Sequence, residues 1–269
     1  MIKFALTAIL LTAVSLLRAQ EFKKNAYGEA LSDAMSCQTG IYAVGYNPAG
    51  IETTTFEASV SYFDRYQVKE ISQKSAAIIF PALNGCFSAD FNYHGFKLFN
   101  QILSGLGYQM KLSDKIRAGV KVNYHGLNIG SSSEKYTAVS GEIGVILSPI
   151  KHLELASYIK NPTNSQFSGS DTIIPLTMVC GIRYMFYEKN FAALEVEKQS
   201  LYDEITVRCS VSGVLSEKFE VRGGLETFPF TVSMGVGFNF ERLKIEAAVK
   251  RNEFLGYMPS ISLAFQAKK

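Results

Sequence analysis

Glu204-Ile205-Thr206-Val207-Arg208-Cys209-Ser210-Val211-Ser212 places an apolar side chain at every second position, and the same two-beat pattern returns three times before Lys250. After Ser216-Glu217-Lys218 it resumes as Phe219, Val221, Gly223 and Leu225 against Glu220, Arg222, Gly224 and Glu226. It continues as Val232, Met234, Val236, Phe238 and Phe240 against Thr231, Ser233, Gly235, Gly237 and Asn239. Leu243, Ile245, Ala247 and Val249 then alternate with Arg242, Lys244, Glu246 and Lys250. A strand turns successive side chains to opposite faces, so each segment has one hydrocarbon face and one charged or hydroxylated face. Repeated at roughly 10 residues per segment, this is the pattern of an all-β, transmembrane antiparallel β-barrel, apolar toward lipid and polar toward its lumen.

Segments of the same kind fall near 55–66, 74–82, 86–96, 102–111, 115–127, 135–147, 151–160, 174–187, 190–199, 204–214, 218–226, 230–240, 242–250 and 258–267. The alternation is least regular in Ile102–Lys111. About fourteen strands, an even number, suit a bacterial barrel. The connections alternate in length: Gln67–Gln73 then Leu83-Asn84-Gly85, Lys97–Gln101 then Ser113-Asp114, Asn161–Ile173 then Glu188-Lys189. Short periplasmic turns and longer extracellular loops produce that order, which puts both termini in the periplasm. Ala58, Val60, Tyr62, Val120, Val122, Tyr124, Met178, Ile182 and Tyr184 are expected on the lipid face.

The 269 residues open with Met1-Ile2-Lys3, the apolar run Phe4–Leu17 and Arg18-Ala19-Gln20, which reads as a signal peptide over 1–19. After it no stretch approaches the ~18 consecutive apolar residues of a membrane helix, so a membrane role must use strands. The formal net charge is only +3, with both signs scattered, which argues against nucleic acid as a partner. Cys86, Cys180 and Cys209 fall in strand segments, and with Cys37 they read as small apolar side chains rather than a disulfide framework.

The polar faces supply the candidate lumen: Asp90, His94, Arg117, Lys121, Glu142, Arg183, Arg208, Glu220, Arg222, Glu226, Lys244 and Glu246, with Glu57, Arg65, Glu154, Glu195, Glu197 and Arg242 on the same faces. Neither sign dominates. Unpaired charges in a narrow interior are costly, so these groups are expected to pair across the lumen and fill it rather than set up a selectivity field. The three histidines, His94, His125 and His152, are scattered without metal-ligand spacing, and Ser131-Ser132-Ser133 reads as a loop tip. The expectation is a non-enzyme with no metal and no cofactor, although sequence spacing does not exclude a Ser/His pair assembled across strands.

Residues 20–54 lack strand alternation and are rich in small side chains, with Ala30–Ala34 expected as a short helical turn. They end in Tyr46-Asn47-Pro48-Ala49-Gly50-Ile51. Proline holds Asn47 extended, the Asn47 side chain can bind a nearby amide, and Gly50 allows a positive φ, so Asn47, Pro48, Ala49 and Gly50 read as a fixed turn.

An Asn-Pro-Ala-Gly turn just before the first strand of an exported all-β chain resembles the FadL-like outer-membrane family and its PorV/PorQ relatives of Bacteroidota. Gly107-Tyr108-Gln109-Met110-Lys111-Leu112-Ser113-Asp114-Lys115-Ile116-Arg117 is similar to that family's strand, Ser-Asp-Lys turn and strand, and Leu255–Leu263 resembles its closing hairpin. The resemblance implies a plug or hatch over residues 20–54, a barrel over 55–269, and a place in the outer membrane. It also implies one of two roles: an accessory or docking subunit of protein export of the type IX secretion kind, partnered by other outer-membrane secretion components, or a channel for small or hydrophobic molecules. Two features depart from the family. The longest loop, Asn161–Ile173, is short for ligand capture, and the chain continues past Phe265 to Lys269 instead of ending on an aromatic residue.

Overall fold

Fourteen antiparallel strands, each bonded to its chain neighbours, form a closed barrel in which the first strand also pairs with the last. The computed structural model describes residues 22, 25–130, 134–169, 172–187 and 189–268; the expected signal peptide and Ser131-Ser132-Ser133 lie outside the described residues. The strands are β1 Glu57–Phe63, β2 Gln73–Ala82, β3 Gly85–Phe96, β4 Phe99–Ser113, β5 Ile116–Ile129, β6 Glu134–Ile150 and β7 Leu153–Lys160. They continue as β8 Thr177–Tyr187, β9 Asn190–Gln199, β10 Ile205–Ser216, β11 Phe219–Thr227, β12 Phe230–Asn239, β13 Leu243–Asn252 and β14 Gly256–Gln266. Closure runs from Glu57 opposite Gln266 to Phe63 opposite Ser260. A barrel leaves no strand edge unpaired, which is why so polar a chain can present a hydrocarbon outer wall.

The two-residue period places each side chain as its parity demands. In β1, Glu57, Ser59, Ser61 and Phe63 are buried, while Val60 and Tyr62 are 54% and 39% exposed. Val120, Val122, Tyr124, Met178, Ile182 and Tyr184 likewise stand on the outer wall. Ile102–Lys111, where alternation is least regular, lies inside β4, a 15-residue strand. Its pattern is blurred because Gly105 and Gly107 take inward positions that elsewhere carry polar side chains.

Several expectations change. The Lys97–Gln101 loop shrinks to residues 97–98 because β4 begins at Phe99, and β11–β12 is equally short, so not every connection in the longer set is long. The other set is uniformly two or three residues; its end of the barrel is called here the turn side, and the opposite end the loop side. Arg242 lies in the β12–β13 turn and is exposed, not lumenal, since the strand stops at Asn239. The four cysteines are free, Cys37 and Cys86 buried, Cys180 and Cys209 outward.

The core is the interior of the barrel, occupied by residues 25–51. Its helix, α1 (Ala26–Ala30), starts four residues earlier than expected because Asn25 caps it, accepting from Gly28 N–H at 2.8 Å. Leu31–Asp33 turn out of the helix, with Ser32 and Asp33 at φ 50° and 65°. Pro48–Gly50 form a single 3₁₀ turn capped by the Asn47 side chain, which accepts from Ala49 N–H at 3.0 Å. Gly50 is not at positive φ. Its lack of a side chain instead admits Gln38, whose carbonyl passes where a Cβ would stand, and Ala43, whose methyl is 2.9 Å from that point.

The wall receives this segment at glycines. A Cβ on Gly144 would collide with Asn47 Oδ1, on Gly119 with Pro48 and with Ala49 N at 2.6 Å, and on Gly224 with the Leu31 carbonyl carbon at 2.6 Å. Tyr27, Leu31, Met35, Ile41, Tyr42, Val44, Tyr46 and Ile51 pack together against Ile79, Cys86, Phe191 and Ala264. Burying each large side chain contributes about 1.5–3 kcal/mol.

Gly144→Val is therefore expected to unseat the Asn47 turn, while Gly141→Val, at an outward position whose Cβ has only a carbonyl at 3.9 Å, leaves it in place. Limited proteolysis of residues 25–51 in detergent checks this: faster cleavage in the first variant and a wild-type rate in the second.

Candidate functional site: a filled lumen between two cavities

The inward carboxylates and cations form a lattice that ties the segment to the wall. Arg208 donates to Glu197 at 2.7 Å and to Glu195 at 3.1 Å, and reaches Glu226 at 3.4 Å. Glu226 also holds Lys250 Nζ at 2.5 Å, and Lys250 reaches Asp33 of the segment at 3.3 Å. The Tyr46 hydroxyl donates to the other Asp33 oxygen at 2.8 Å, and the Ser36 N–H donates to Glu195 at 2.8 Å. One continuous chain of charge-assisted bonds thus joins β9, β10, β11 and β13 to residues 33–46.

A second node lies nearer the turns. Arg222 bonds Glu220 and Glu246, and its guanidinium sits 4.0 Å from the Tyr27 ring, which stacks on Tyr42 with centroids 4.8 Å apart. Arg183 pairs with Glu154 and donates to Gln38 Oε1 at 2.7 Å. Arg117 bridges Glu154 at 2.7 Å and Glu52 at 2.8 Å, and Lys111 holds the other Glu52 oxygen at 2.6 Å. On the opposite wall Lys121 pairs with Asp90 at 2.6 Å, and Asn123 Nδ2 donates to Glu142 Oε1 at 2.6 Å.

Of the sequence-derived lumen residues, Asp90, His94, Lys121, Glu142, Arg183, Arg208, Arg222, Glu226 and Glu246 are buried inside, and Arg117, Glu220 and Lys244 are partly covered. All but His94, Lys244 and Glu142 stand in ion pairs. His94 faces Phe22, with ring centroids 6.4 Å apart, while Lys244 lines the turn-side cavity. Lys250, Asp33 and Glu52 were absent from that set. Lys250 carried the right signal, since it continues the polar parity of Lys244 and Glu246; the two acids lie in the segment without periodicity and carried none. A Ser/His pair does assemble across strands: His125 Nε2 and Ser140 Oγ are 2.8 Å apart on β5 and β6. Among the described residues, no group of three His, Cys, Asp or Glu side chains is placed to hold a metal ion.

The segment separates two cavities. One of about 310 Å³ opens on the turn side between Tyr27, Tyr42, Arg183, Arg222, Lys244 and Glu246. The other, about 200 Å³, lies on the loop side, with Ile102, Leu103, Leu127, Phe167 and Ile174 on its apolar flank and Asn123, His125, Ser140 and Glu142 on its polar flank. Residues 161–169 and 172–176 border this second cavity, with Phe167 edge-on to His125 at 6.2 Å.

Within the segment, burial pushes the Cys37 thiol up to about 12, and burial also raises the Tyr42 hydroxyl. For Glu52 burial pushes upward too, but hydrogen bonds and charge from Lys111 and Arg117 more than offset it, so the carboxyl sits below its ordinary 4.5.

No protein-family model and no curated protein matches the sequence. Among solved structures, the chain is similar to the Pseudomonas putida toluene transporter TodX at TM-score 0.67 and 11% identity, covering 91% of this chain and 98% of that one. It is also similar to the Ralstonia pickettii toluene transporter TbuX at TM-score 0.63 and 10% identity, covering 92% and 98%. A Pseudomonas aeruginosa FadL homologue gives TM-score 0.66 and 11% identity, covering 91% and 99%. At this identity the likeness establishes the architecture: the chain has the fourteen-strand barrel of FadL-type channels.

Lys250→Met removes the cation between Asp33 and Glu226 and leaves two buried carboxylates facing each other. It is expected to destabilise the barrel by about 3–5 kcal/mol, read from the denaturant midpoint in detergent, with Asp33→Asn recovering part of the loss. Because the Glu52 value is depressed on folding, its contribution is present above pH 4.5 and is lost as pH falls through the lower folded value. Acid protease sensitivity of residues 25–51 is accordingly expected to rise below pH 4.5 in the wild type, and Glu52→Gln is expected to lack that component.

Proposed function

We propose that this chain spans the outer membrane as a non-enzymatic channel for small apolar or amphipathic molecules, with residues 20–54 as its hatch and both termini periplasmic. The observation that carries this reading is a segment held in the lumen by noncovalent contacts, with no disulfide to the wall, between a loop-side cavity and a turn-side cavity inside a closed barrel. The outer wall, apolar at most outward positions, suits lipid as its solvent. Proteins of the same fold are described as monoaromatic hydrocarbon channels and toluene transporters, which supports the apolar side of the substrate class.

A second reading has one feature in its favour. The lumen is filled by paired charges around a well-packed segment, which suits a PorV/PorQ-like accessory subunit docking with outer-membrane secretion components of a type IX system. Solute uptake by proteoliposomes separates the two. The channel reading expects uptake of a small aromatic solute that rises when residues 25–50 are deleted; uptake indifferent to that deletion, together with secretion components recovered on native pull-down, supports the accessory reading.

Movement of the hatch has a chemical reporter in Cys37. With Cys86, Cys180 and Cys209 replaced by alanine, the buried thiol is expected to react slowly with a maleimide at neutral pH, because it stays protonated and covered. A transported solute is expected to accelerate labelling, and an unchanged rate during measured uptake argues against hatch displacement.

A further inference from the structure

The loop-side cavity contains a carboxylate that the described residues leave incomplete. Glu142 is 6% exposed and lines the cavity. Its Oε1 accepts from Asn123, but its Oε2 has no hydrogen-bond partner among the described residues. The neighbouring cations are committed elsewhere. Lys121, directly opposite Glu142 on β5, gives its ammonium to Asp90 at 2.6 Å. Lys160, opposite on β7, is partly exposed, lies 5.4 Å from the Tyr158 ring and has a further interaction of its own. His125 is bonded to Ser140.

A buried carboxylate oxygen without a donor is destabilising until something supplies one. The apolar flank of the same cavity, Leu103, Leu127 and Phe167 among it, offers a small ring a dry surface. A cavity of about 150 Å³ is enough for benzene, so about 200 Å³ has room for a small aromatic group with a short side chain. Among the described lining residues a ligand carboxylate would meet one lysine, Lys160, a partly exposed cation already engaged, and would face Glu142 as a like charge. Oε2 is itself covered, so a small rotation of the Glu142 side chain would turn it to a ligand ammonium and complete it, with Ser140 Oγ within the same polar flank as a second acceptor.

We propose that this cavity binds small amphipathic cations, an aromatic group carrying a primary ammonium, with the ammonium on Glu142 and the ring against Phe167 and Leu103. The proposal rests on the channel reading and narrows its substrate class.

The chain contains no tryptophan, so indole fluorescence reports ligand alone. Purified full-length protein in detergent at pH 7.5 is titrated against tryptamine, 3-ethylindole and indole-3-propionate, which share a ring and differ in head group. Wild type is expected to bind tryptamine about tenfold or more tighter than either of the others. Glu142→Gln, which keeps the Oε1 acceptor for Asn123, is expected to bring tryptamine down to the 3-ethylindole level; Lys160→Met is expected to leave the preference intact. Equal binding of the three probes by wild type, a preference for indole-3-propionate, or an ammonium preference surviving in Glu142→Gln would each overturn the assignment while leaving an apolar channel standing. No binding of any probe would overturn both the assignment and the channel reading.

Discussion

The interior of a closed barrel this size has to be filled or hydrated, and here residues 25–51 fill it. They approach the wall at Gly119, Gly144 and Gly224, where any side chain would occupy the same space as the segment. Close approach then lets short polar groups do what long ones do elsewhere: Asn47 binds its own turn and donates to the Ser36 carbonyl at 2.8 Å, and Ser32 meets Ser233 at 2.7 Å. The ion-pair lattice depends on this seat. Without Asp33 in place, Lys250 would share its single charge with Glu226 alone, and without Gln38 the Arg183 guanidinium would lose one acceptor.

That arrangement also explains why the lumen is strongly charged yet electrically quiet. Arg208 and Arg222 each face more than one carboxylate, and buried ion pairs of this kind give little net stability against an apolar filling. What they provide is direction. A guanidinium held between fixed carboxylates accepts one position for the Tyr27 ring, whereas hydrocarbon would accept many. The segment is thereby placed uniquely without a disulfide to the wall, a combination compatible with both retention and release. The two cavities it separates differ in kind, the turn-side one bounded by charge and the loop-side one largely by apolar side chains.

Parity made most of the wall legible in advance. Arg208, Glu220, Arg222, Glu226 and Glu246 alternate with hydrocarbon, and each stands inside because a one-residue slip would have put all of them in the apolar band. Arg242 misled because parity persists past the end of a strand while the wall does not. Ala30–Ala34 misled for a different reason: its composition suits a helix, but the Asn25 cap fixes the start and the positive φ at Ser32 ends it. In β4 the inward glycines removed the polar half of the signal. Their purpose becomes visible only when something is seen to lie against them or beside them.

The all-β class, the fourteen strands to within a few residues, and the inward or outward direction of nearly every strand side chain are legible in the order of the amino acids, because they follow from a local two-residue period. Tertiary structure alone decided which charges meet. Lys250 finds Asp33 across 217 residues of sequence, and Glu142 is left with one oxygen unfilled beside an apolar pocket. Such pairings are set by barrel closure and by the path of a segment that has no periodicity of its own, and no local pattern encodes either.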